Sequence, residues 1–327
     1  QRKELLKSVL EGVNKQLEDV GVYQLPLDPR MCCTKVIVGE CRVMSSKMAP
    51  LWLVFENAFP HECDGKTKFT VLWKEGDDLR QDQLTLQLMG TMDILWKTEG
   101  YDMNMVLYKC VSTGHMEGML EIVENATTFA EITRLGAHGA YDGIHGSGKS
   151  KKKKINKLTA AFAAFSTGIL KKWMVHQAAE NAENRSIMNF TSNESKIVQN
   201  RRQHIVRRRS SVAIEIGEEE RVEWTTSSLP IYRKKFEAVS NSKFYEELML
   251  NNFIYSMAGS IVATHILGIG DRHNDNYMIK DDGTFFHIDF GHIMGNFKTK
   301  AGFQVENEIF VFTHDMLHAI SDRYNEF

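Results

Sequence analysis

The stretch from Gly268 to Gly295 constrains the fold of this chain more than any other part of its sequence. Within it, the pair Asp282-Gly283 separates two apolar runs, residues 277–279 and 285–288. An Asp-Gly pair between two short apolar runs is a strong signal for a β-hairpin. A His, an Asn and several Asp residues lie close to these runs. The sequence therefore predicts a hairpin whose ends carry chemically active side chains.

The register of this hairpin decides which side chains meet. With a two-residue loop, Asp281 pairs with Thr284, and counting outward places Asn276 opposite Asp289. Directly opposed side chains on one face of a sheet lie about 5 Å apart. A shift by one residue would move Asp289 to the other face, so the predicted proximity depends on the register.

The polar residues of the hairpin suit a divalent cation. The amide oxygen of Asn276 and the carboxylate of Asp289, with Asp271 and His273 nearby, offer the oxygen ligands that Mg²⁺ prefers. The alternative is an ordinary polar hairpin loop without a ligand. The density of His, Asp and Asn favours the cation site.

The composition is that of a globular protein and sets limits on function. The chain has 327 residues, 43% hydrophobic and 25% charged, enough for about two domains. Its net charge of −2 gives no overall attraction to nucleic acid, so an anionic partner must meet a local basic patch. The five cysteines lack C-x-x-C spacing, which indicates reduced thiols in a cytosolic protein.

Helical spacings and short β-type runs alternate along the first 130 residues. A polar N-cap after the last of these strands opens the next helix. A buried strand that leads directly into a helical second half predicts a hinge between two lobes. The predicted elements are helices over residues 2–20 and 78–97, the second carrying Asp82, and strands at Lys35–Val38, Leu51–Phe55, Phe69–Trp73, Met105–Tyr108 and Gly118–Val123.

Lys74 follows a strand and is predicted to point into the core face. Counting in steps of two from Leu72 places Lys74 on the same face as Leu72 and Thr70. An inward Lys needs an anionic partner, and a nucleotide phosphate is one candidate. The alternative is a Lys at a strand end that extends to water. Upstream, Ser46 and Lys47 lie in a loop between strands whose hydroxyl, amino and backbone N–H groups suit phosphates, although an ordinary polar loop fits equally well.

The second half of the chain is predicted to be mainly helical. Residues 143–150 match the pattern G-x-x-x-x-G-K-S, but no buried strand enters this segment and a Lys run follows it, so we interpret it as a basic loop. Helical spacing returns over 156–177. Charge blocks predict a disordered insertion at about 180–230. After Pro230, one long helix and a second apolar helix, Ile254–Leu267, are expected.

Five motifs carry a resemblance to a known family: Gly270–Asn276, Ile288–His292, Gly76–Asp82, Ser46–Met48 with Pro50–Trp52, and Asn296–Lys300. Together, and in this family's order, they resemble the catalytic domain of phosphoinositide 3-kinases, class I in particular. The resemblance covers most of residues 30–320, apart from the insertion at about 180–230. The resemblance implies an α+β, two-lobe, protein-kinase-like fold, with an antiparallel-sheet N-lobe over residues 1–123 and a mainly helical C-lobe over 124–327. The chain would then stop before the family's C-terminal helices.

The resemblance implies ATP and Mg²⁺ as cofactors, with Mn²⁺ as a substitute, and roles for individual residues. Lys74, supported by Ser46 and Lys47, would contact the ATP phosphates, and Asn276 and Asp289 would bind the metal. His273 would take the hydroxyl proton of the inositol or stabilise charge at the transferred phosphoryl group, with Asp271 orienting the loop. The residues implied to contact the rest of the nucleotide are Asp82, Tyr108, Glu121, Val123, Met278 and Ile288.

The implied activity is transfer of the ATP γ-phosphate to the 3-hydroxyl of phosphatidylinositol or its phosphorylated forms. Lys298 and Lys300 match the family's first basic cluster for the lipid headgroup. Gln304–Glu308 replaces the second basic cluster, and Glu306 and Glu308 disfavour the bisphosphate lipid.

The resemblance also implies cytoplasmic localisation with recruitment to membranes. The implied partners are a membrane phosphoinositide and a regulatory subunit or small GTPase, with no nucleic acid. Two alternatives are a Ser/Thr protein kinase of the same superfamily and an inactive nucleotide-binding scaffold.

Overall fold

The fold is seen in a computed structural model. It describes residues 2–46, 48–62, 65–136, 168–188, 230–296, 299–300, 303–304, 312–320 and 323. The helices are α1 (Arg2–Leu17), α2 (Arg80–Thr98), α3 (Phe129–Gly136), α4 (Ile169–Met188), α5 (Pro230–Leu267) and α6 (His314–Ile320). The strands are β1 (Tyr23–Leu25), β2 (Asp28–Val36), β3 (Arg42–Val43), β4 (Leu51–Asn57), β5 (Lys68–Glu75), β6 (Cys110–Gly114), β7 (Glu117–Glu121), β8 (Ala126–Thr128), β9 (Tyr277–Lys280), β10 (Phe285–His287), β11 (Thr299–Lys300) and β12 (Phe303–Gln304).

The first half of the chain, residues 2–121, forms an antiparallel sheet with two helices and is called the sheet half. Its strand order is β1-β2-β4-β5-β7-β6, and β3 pairs with β4. Helix α1 buries Leu6 and Leu10 in the core of this sheet. These positions are four residues apart and therefore lie on one helix face. The predicted amphipathic first helix is confirmed, and it ends at Leu17.

Three of the five strands predicted in the sheet half are confirmed. Lys35–Val38 overlaps only the end of β2, which stops at Val36, and a fifth prediction is wrong. The runs expected around residues 51–55, 69–73 and 118–123 correspond to β4, β5 and β7. Met105–Tyr108 is not a strand, and Cys110–Gly114 forms the edge strand instead. Asn104, just before it, has a left-handed backbone (φ 47°), and its side chain donates to Asn252 Oδ1 at 3.2 Å. This segment therefore packs against α5 without pairing in the sheet.

The second half, residues 126–320, combines helices with the three-stranded sheet β10-β9-β8 and is called the helical half. The predicted cap before α3 is Thr128, whose Oγ1 accepts a hydrogen bond from the Glu131 N–H at 3.2 Å. Helix α5 is continuous from Pro230 to Leu267, so the expected division into two helices is wrong. Helix α4 extends to Met188, so the start of the expected disordered insertion is helical.

A shared hydrophobic cluster joins the two halves. Leu79 and Tyr108 from the sheet half pack with Leu267, Phe286 and Phe290 from the helical half. Segment 122–125 links β7 of the sheet half to β8 of the helical half. The mixture of helices and antiparallel sheets agrees with the predicted α+β class, and this shared core fixes the two sheets relative to each other.

The hairpin of β9 and β10 is present, but its predicted register is wrong by one residue. Phe285 pairs with Ile279, and the N–H of Lys280 donates to Thr284 O at 2.9 Å. The loop therefore has three residues, and Gly283 at its end has a left-handed backbone (φ 87°) and donates to Lys280 O at 2.8 Å. Asp281 does not face Thr284.

Several predicted features lie outside the described residues. They are Lys47, the basic loop at 143–150, the helical spacing over 156–167, the segment 189–229, Lys298 and Glu306 with Glu308.

The hairpin loop gives a stability test at Gly283. A Cβ at this position would lie 2.3 Å from the carbonyl oxygen of Met249 in α5. We expect Gly283→Ala to lower the free energy of unfolding by about 3 kcal/mol or more, because it adds a backbone clash to left-handed strain. Urea unfolding measures this change. Gly295→Ala is the matched control, since Gly295 has the same φ of 87° but no atom within 4 Å of an added Cβ. Equal losses in the two variants would contradict the predicted contact.

Candidate active site

A cavity of about 1180 Å³ lies between the seven-stranded sheet and the β9–β10 hairpin. This volume is slightly above the usual range for small-molecule sites, roughly 300–1,000 Å³. Of the residues predicted to form a site, it brings together Lys74, Asp82, Tyr108, Glu121, Val123, Asn276, Met278, Ile288 and Asp289.

Lys74 points into this cavity from β5, as the strand count predicts. Thr70 and Leu72, on the same face, also line the cavity. The Lys74 Nζ lies 2.9 Å from Asp77 Oδ2, and its side chain is mostly buried. Burial disfavours the ammonium, but the hydrogen bond to Asp77 and the charges of Asp77, Asp289 and Asp82 keep the pKa of Lys74 above its ordinary value. Lys74 is therefore a fixed positive charge inside the cavity.

Asp82 connects helix α2 to the segment after β10. Its Oδ1 accepts a hydrogen bond from the Phe290 N–H at 3.1 Å. Burial raises the pKa of Asp82 to about 6, although this hydrogen bond and Lys74 favour the ionised form. The carboxylate thus holds the backbone beside Asp289 and faces Lys74 across the cavity.

Asn276 is oriented by three hydrogen bonds. Its side-chain Nδ2 donates to Asp271 O at 2.8 Å, its N–H donates to His273 O at 2.8 Å, and its carbonyl accepts from the Ile288 N–H at 3.1 Å. The residue is buried. Because the amide nitrogen is engaged by the loop, the amide oxygen is the atom that suits a cation.

Asp289 lines the cavity, but the strand register that was predicted to place it there is not the observed one. In the observed register, Asn276 is bonded to Ile288, so continued strand geometry would turn Asp289 to the opposite face. Strand β10 ends at His287, and Asp289 has a left-handed backbone with φ 62°. This turn returns its carboxylate to the cavity, which both Asn276 and Asp289 line. The predicted pair is therefore brought together for a different reason from the one expected.

Arg272 contacts the backbone of the site, and the sequence patterns assigned it no role. Its guanidinium is buried and donates to the carbonyls of Gly270 (2.8 Å), Ile288 (2.9 Å) and Asp289. The guanidinium carbon also lies 5.7 Å from the centre of the Phe290 ring. A charged residue between the predicted Asp271 and His273, after the apolar run that ends at Gly270, was the available signal.

Asp271 and His273 lie on the loop beside the cavity and do not line it. The His273 Nε2 is 3.9 Å from Asp271 Oδ1, and its Nδ1 is 3.7 Å from Asp275 Oδ2. Nδ1 also accepts a hydrogen bond from the Asp275 N–H at 3.3 Å, which places the hydrogen of a neutral ring on Nε2. His273 is half exposed, so this Nε2–H is open to an incoming group.

Part of the cavity lining is apolar, and a backbone donor lies beside it. Tyr108 is buried and contacts Phe286 edge to face, with ring centres 6.4 Å apart. The N–H of Glu121 donates to Lys109 O at 2.8 Å. Within the described residues, the Val123 N–H makes no such bond. A flat heterocycle placed here would meet one backbone donor between apolar side chains.

Ser46, predicted to contact phosphate, is exposed and does not line this cavity. Lys300 is the second residue of β11, and only its backbone is described, so its predicted headgroup contact stays a prediction. Of the described helices, none combines the length and apolar character needed to cross a membrane.

Comparison with known proteins decides the family. The family model described as phosphatidylinositol 3- and 4-kinase matches residues 68–327, which include Lys74 and the whole hairpin. This chain belongs to the phosphatidylinositol 3- and 4-kinase family. The resemblance identified from the motifs is therefore confirmed.

Relatives of this kinase family align with nearly all of the chain. It is 35% identical to phosphatidylinositol 3-kinase 2 of Dictyostelium discoideum over 320 residues, 98% of this chain and 12% of the relative. It is 30% identical over 322 residues to the human phosphatidylinositol 3-kinase C2 domain-containing subunit gamma, again 98% of this chain and 16% of the relative. The chain thus spans less than a fifth of the length of these relatives.

The raised pKa of Asp82 predicts a pH dependence of stability in this kinase domain. The folded state holds the Asp82 proton more tightly than the unfolded state, where the pKa is near 3.8. Relative to Asp82→Asn, the wild-type protein therefore loses about 3 kcal/mol of stability as pH rises from about 4 to about 6.

Urea unfolding of both proteins between pH 3.5 and 7.5 measures this difference. We expect the stability of the wild type to fall relative to that of Asp82→Asn across that window. Parallel curves would show that Asp82 titrates normally.

Proposed function

We propose that this chain is the catalytic domain of a phosphatidylinositol 3-kinase that transfers the γ-phosphate of Mg-ATP to the 3-hydroxyl of an inositol lipid. The observation that carries the proposal is the convergence of Lys74, Asn276 and Asp289 on one cavity from two different sheets. Membership of the kinase family and the names of the relatives support the same activity.

In this proposal the two halves correspond to the two lobes of a kinase. Residues 1–123 form the N-lobe with its preceding helix, and residues 124–327 form the C-lobe. The cavity between the sheets is the ATP site, with adenine beside the Val123 N–H and the apolar side chains of the lining. The phosphates extend toward Lys74, a mostly buried cation that lines the cavity from β5.

The donor atoms fit a hard divalent cation. No cluster of three or more His, Cys, Asp or Glu side chains is placed to hold a metal in the described part of the chain. Asn276 and Asp289 offer two oxygen donors, and Mg²⁺ in kinases is typically held by one or two protein carboxylates or amides together with substrate phosphates. When bound, the metal would neutralise phosphate charge.

The residues of the chain supply positioning and charge for phosphoryl transfer. Lys74 binds phosphate oxygens, and His273 donates its Nε2 hydrogen to the transferred phosphoryl group. The inositol oxygen bonds to the γ-phosphorus while the bond to the bridging oxygen of ADP breaks. The hydroxyl proton passes to Asp271, the carboxylate 3.9 Å from His273 Nε2. Phosphoryl transfer depends mainly on such positioning and charge stabilisation.

The lipid is selected downstream of Asp289 in this proposal. Lys298 and Lys300 meet headgroup phosphates, whereas Glu306 and Glu308 repel a second one. We infer a preference for phosphatidylinositol or its 4-phosphate over the bisphosphate. The enzyme acts at a cytoplasmic membrane surface, recruited by a regulatory subunit or small GTPase through other regions of the full-length protein.

A panel of phosphoinositide vesicles tests the activity. The full-length protein with radiolabelled ATP is expected to label phosphatidylinositol at the 3-position more than the bisphosphate. Asp289→Asn should reduce the rate at least about a hundredfold, because it removes a charged metal ligand. Labelling of a protein substrate without lipid would favour the protein-kinase alternative. ATP binding without any transfer would favour an inactive scaffold.

Variants of the loop separate the roles of Asp271 and His273. If His273 donates a hydrogen bond, His273→Gln retains a donor and should lose no more than about tenfold in kcat. Asp271→Asn removes the proton acceptor and should lose about a hundredfold or more. KM for ATP should change little in both variants, since neither residue lines the cavity. The opposite order of losses would make His273 the proton acceptor.

A further inference from the structure

Helix α5 presents an uncharged surface at the end that leads into the catalytic loop. The sequence has no Asp, Glu, Lys or Arg between Glu247 and Asp271. On the outer side of the helix, Tyr255, Val262 and Ile266 are exposed. Their spacings of seven and four residues place them on one helix face.

Met294 extends this surface beyond the helix. Its side chain is 63% exposed, as is that of Ile266. The Met294 N–H donates to Leu267 O at 2.9 Å, and the Cα of Met294 would lie 3.6 Å from a Cβ on Gly268. Tyr255, Val262, Ile266 and Met294 are called the outer apolar face.

Short chain segments and a backbone hydrogen bond connect the outer apolar face to the loop that carries Asp271 and His273. The Gly270 N–H donates to His292 O at 2.8 Å, which joins the loop after α5 to the segment that carries Met294. Met294 is five residues from Asp289, so the two Cα atoms are at most about 18 Å apart. Ile266 is seven residues from His273, at most about 25 Å.

Isolated apolar residues on a surface are common, but a continuous exposed face without charges marks a contact with a protein or a membrane. The location of the outer apolar face, next to the loop that carries Asp271 and His273, favours a membrane over a protein. On the proposed function, the acceptor hydroxyl belongs to a lipid whose acyl chains remain in a bilayer, so the surface around the catalytic loop must approach that bilayer. Apolar side chains of a surface helix enter the boundary between headgroups and acyl chains by about 5–10 Å.

We propose that the outer apolar face inserts into the lipid bilayer and positions the catalytic loop over its substrate. This inference rests on the proposed lipid-kinase function and adds a membrane-binding surface to it. Ile266 and Met294 are the most exposed of the four residues, at 63% each. In the sequence, the predicted headgroup lysines Lys298 and Lys300 follow Met294 within six residues.

The test uses the full-length protein with Ile266→Gln and Met294→Asn combined. Gln preserves helix propensity, and Asn tolerates the left-handed backbone of Met294 (φ 52°). Leu5→Gln is the matched control, because Leu5 is 67% exposed on α1, which packs on the sheet half. Binding to vesicles of phosphatidylcholine and phosphatidylinositol is measured by cosedimentation, and kinase rate is measured on the same vesicles and on a soluble short-chain phosphatidylinositol.

We expect the double variant to lose at least about tenfold in vesicle binding and vesicle kinase rate, because two apolar side chains no longer leave water. The rate on the soluble lipid should stay within about twofold of wild type, and Leu5→Gln should match wild type in every assay. Unchanged vesicle binding would overturn the inference. An equal loss on the soluble lipid would also overturn it, because these residues would then support the catalytic loop.

Two further outcomes are an inactive wild type and an outer apolar face that is covered by protein. If the wild type phosphorylates neither lipid, the proposed function fails, whereas loss of vesicle binding in the double variant still supports the membrane surface.

Ile266→Cys reports whether another segment covers the face, by maleimide labelling read on the peptide that contains position 266. Rapid labelling without vesicles and slow labelling with them are expected. Slow labelling without vesicles would show that protein covers the face and would overturn the inference.

Discussion

The buried guanidinium of Arg272 is the interaction on which the geometry of the site depends. A buried cation is costly unless its donors are satisfied, and here they bond three backbone carbonyls from two segments. Two of these carbonyls belong to Ile288 and Asp289, where the chain leaves strand geometry. Arg272 thereby fixes the left-handed turn that directs the Asp289 carboxylate into the cavity. Removing it would leave these carbonyls unpaired and the turn without support.

A second set of contacts joins this turn to the opposite sheet. Asp82 on α2 accepts the Phe290 N–H, and Phe290 packs in the cluster that includes Leu79 and Leu267. Lys74 balances the negative charges of Asp77, Asp82 and Asp289, of which Asp82 and Asp289 line the cavity. Three carboxylates near one lysine repel each other, and a divalent cation with a nucleotide would redistribute that charge. The electrostatics of the cavity thus favour a cation together with a polyanion.

The sequence predicted the pieces of this site better than their arrangement. The hairpin and the inward face of Lys74 follow from local patterns, an Asp-Gly turn and alternation along β5. The register of the β9–β10 hairpin could not be predicted from local patterns. Asp281 belongs to the loop, and nothing local distinguishes a two-residue from a three-residue turn there. The left-handed Asp289 depends on Arg272, a tertiary contact. Met105–Tyr108 has strand composition but is held by α5, where Gly259 leaves room for Met103.

The central claim is that Asn276 and Asp289 form one cation site although they are out of register. Titration of Mn²⁺ followed by electron paramagnetic resonance, with a non-hydrolysable ATP analogue present, tests it directly. The account predicts that Asn276→Ala and Asp289→Ala each weaken Mn²⁺ binding by at least about tenfold, and that the double variant is little worse than Asp289→Ala, because both ligands serve the same ion. Unchanged Mn²⁺ affinity in Asn276→Ala, or two fully additive losses, would contradict it.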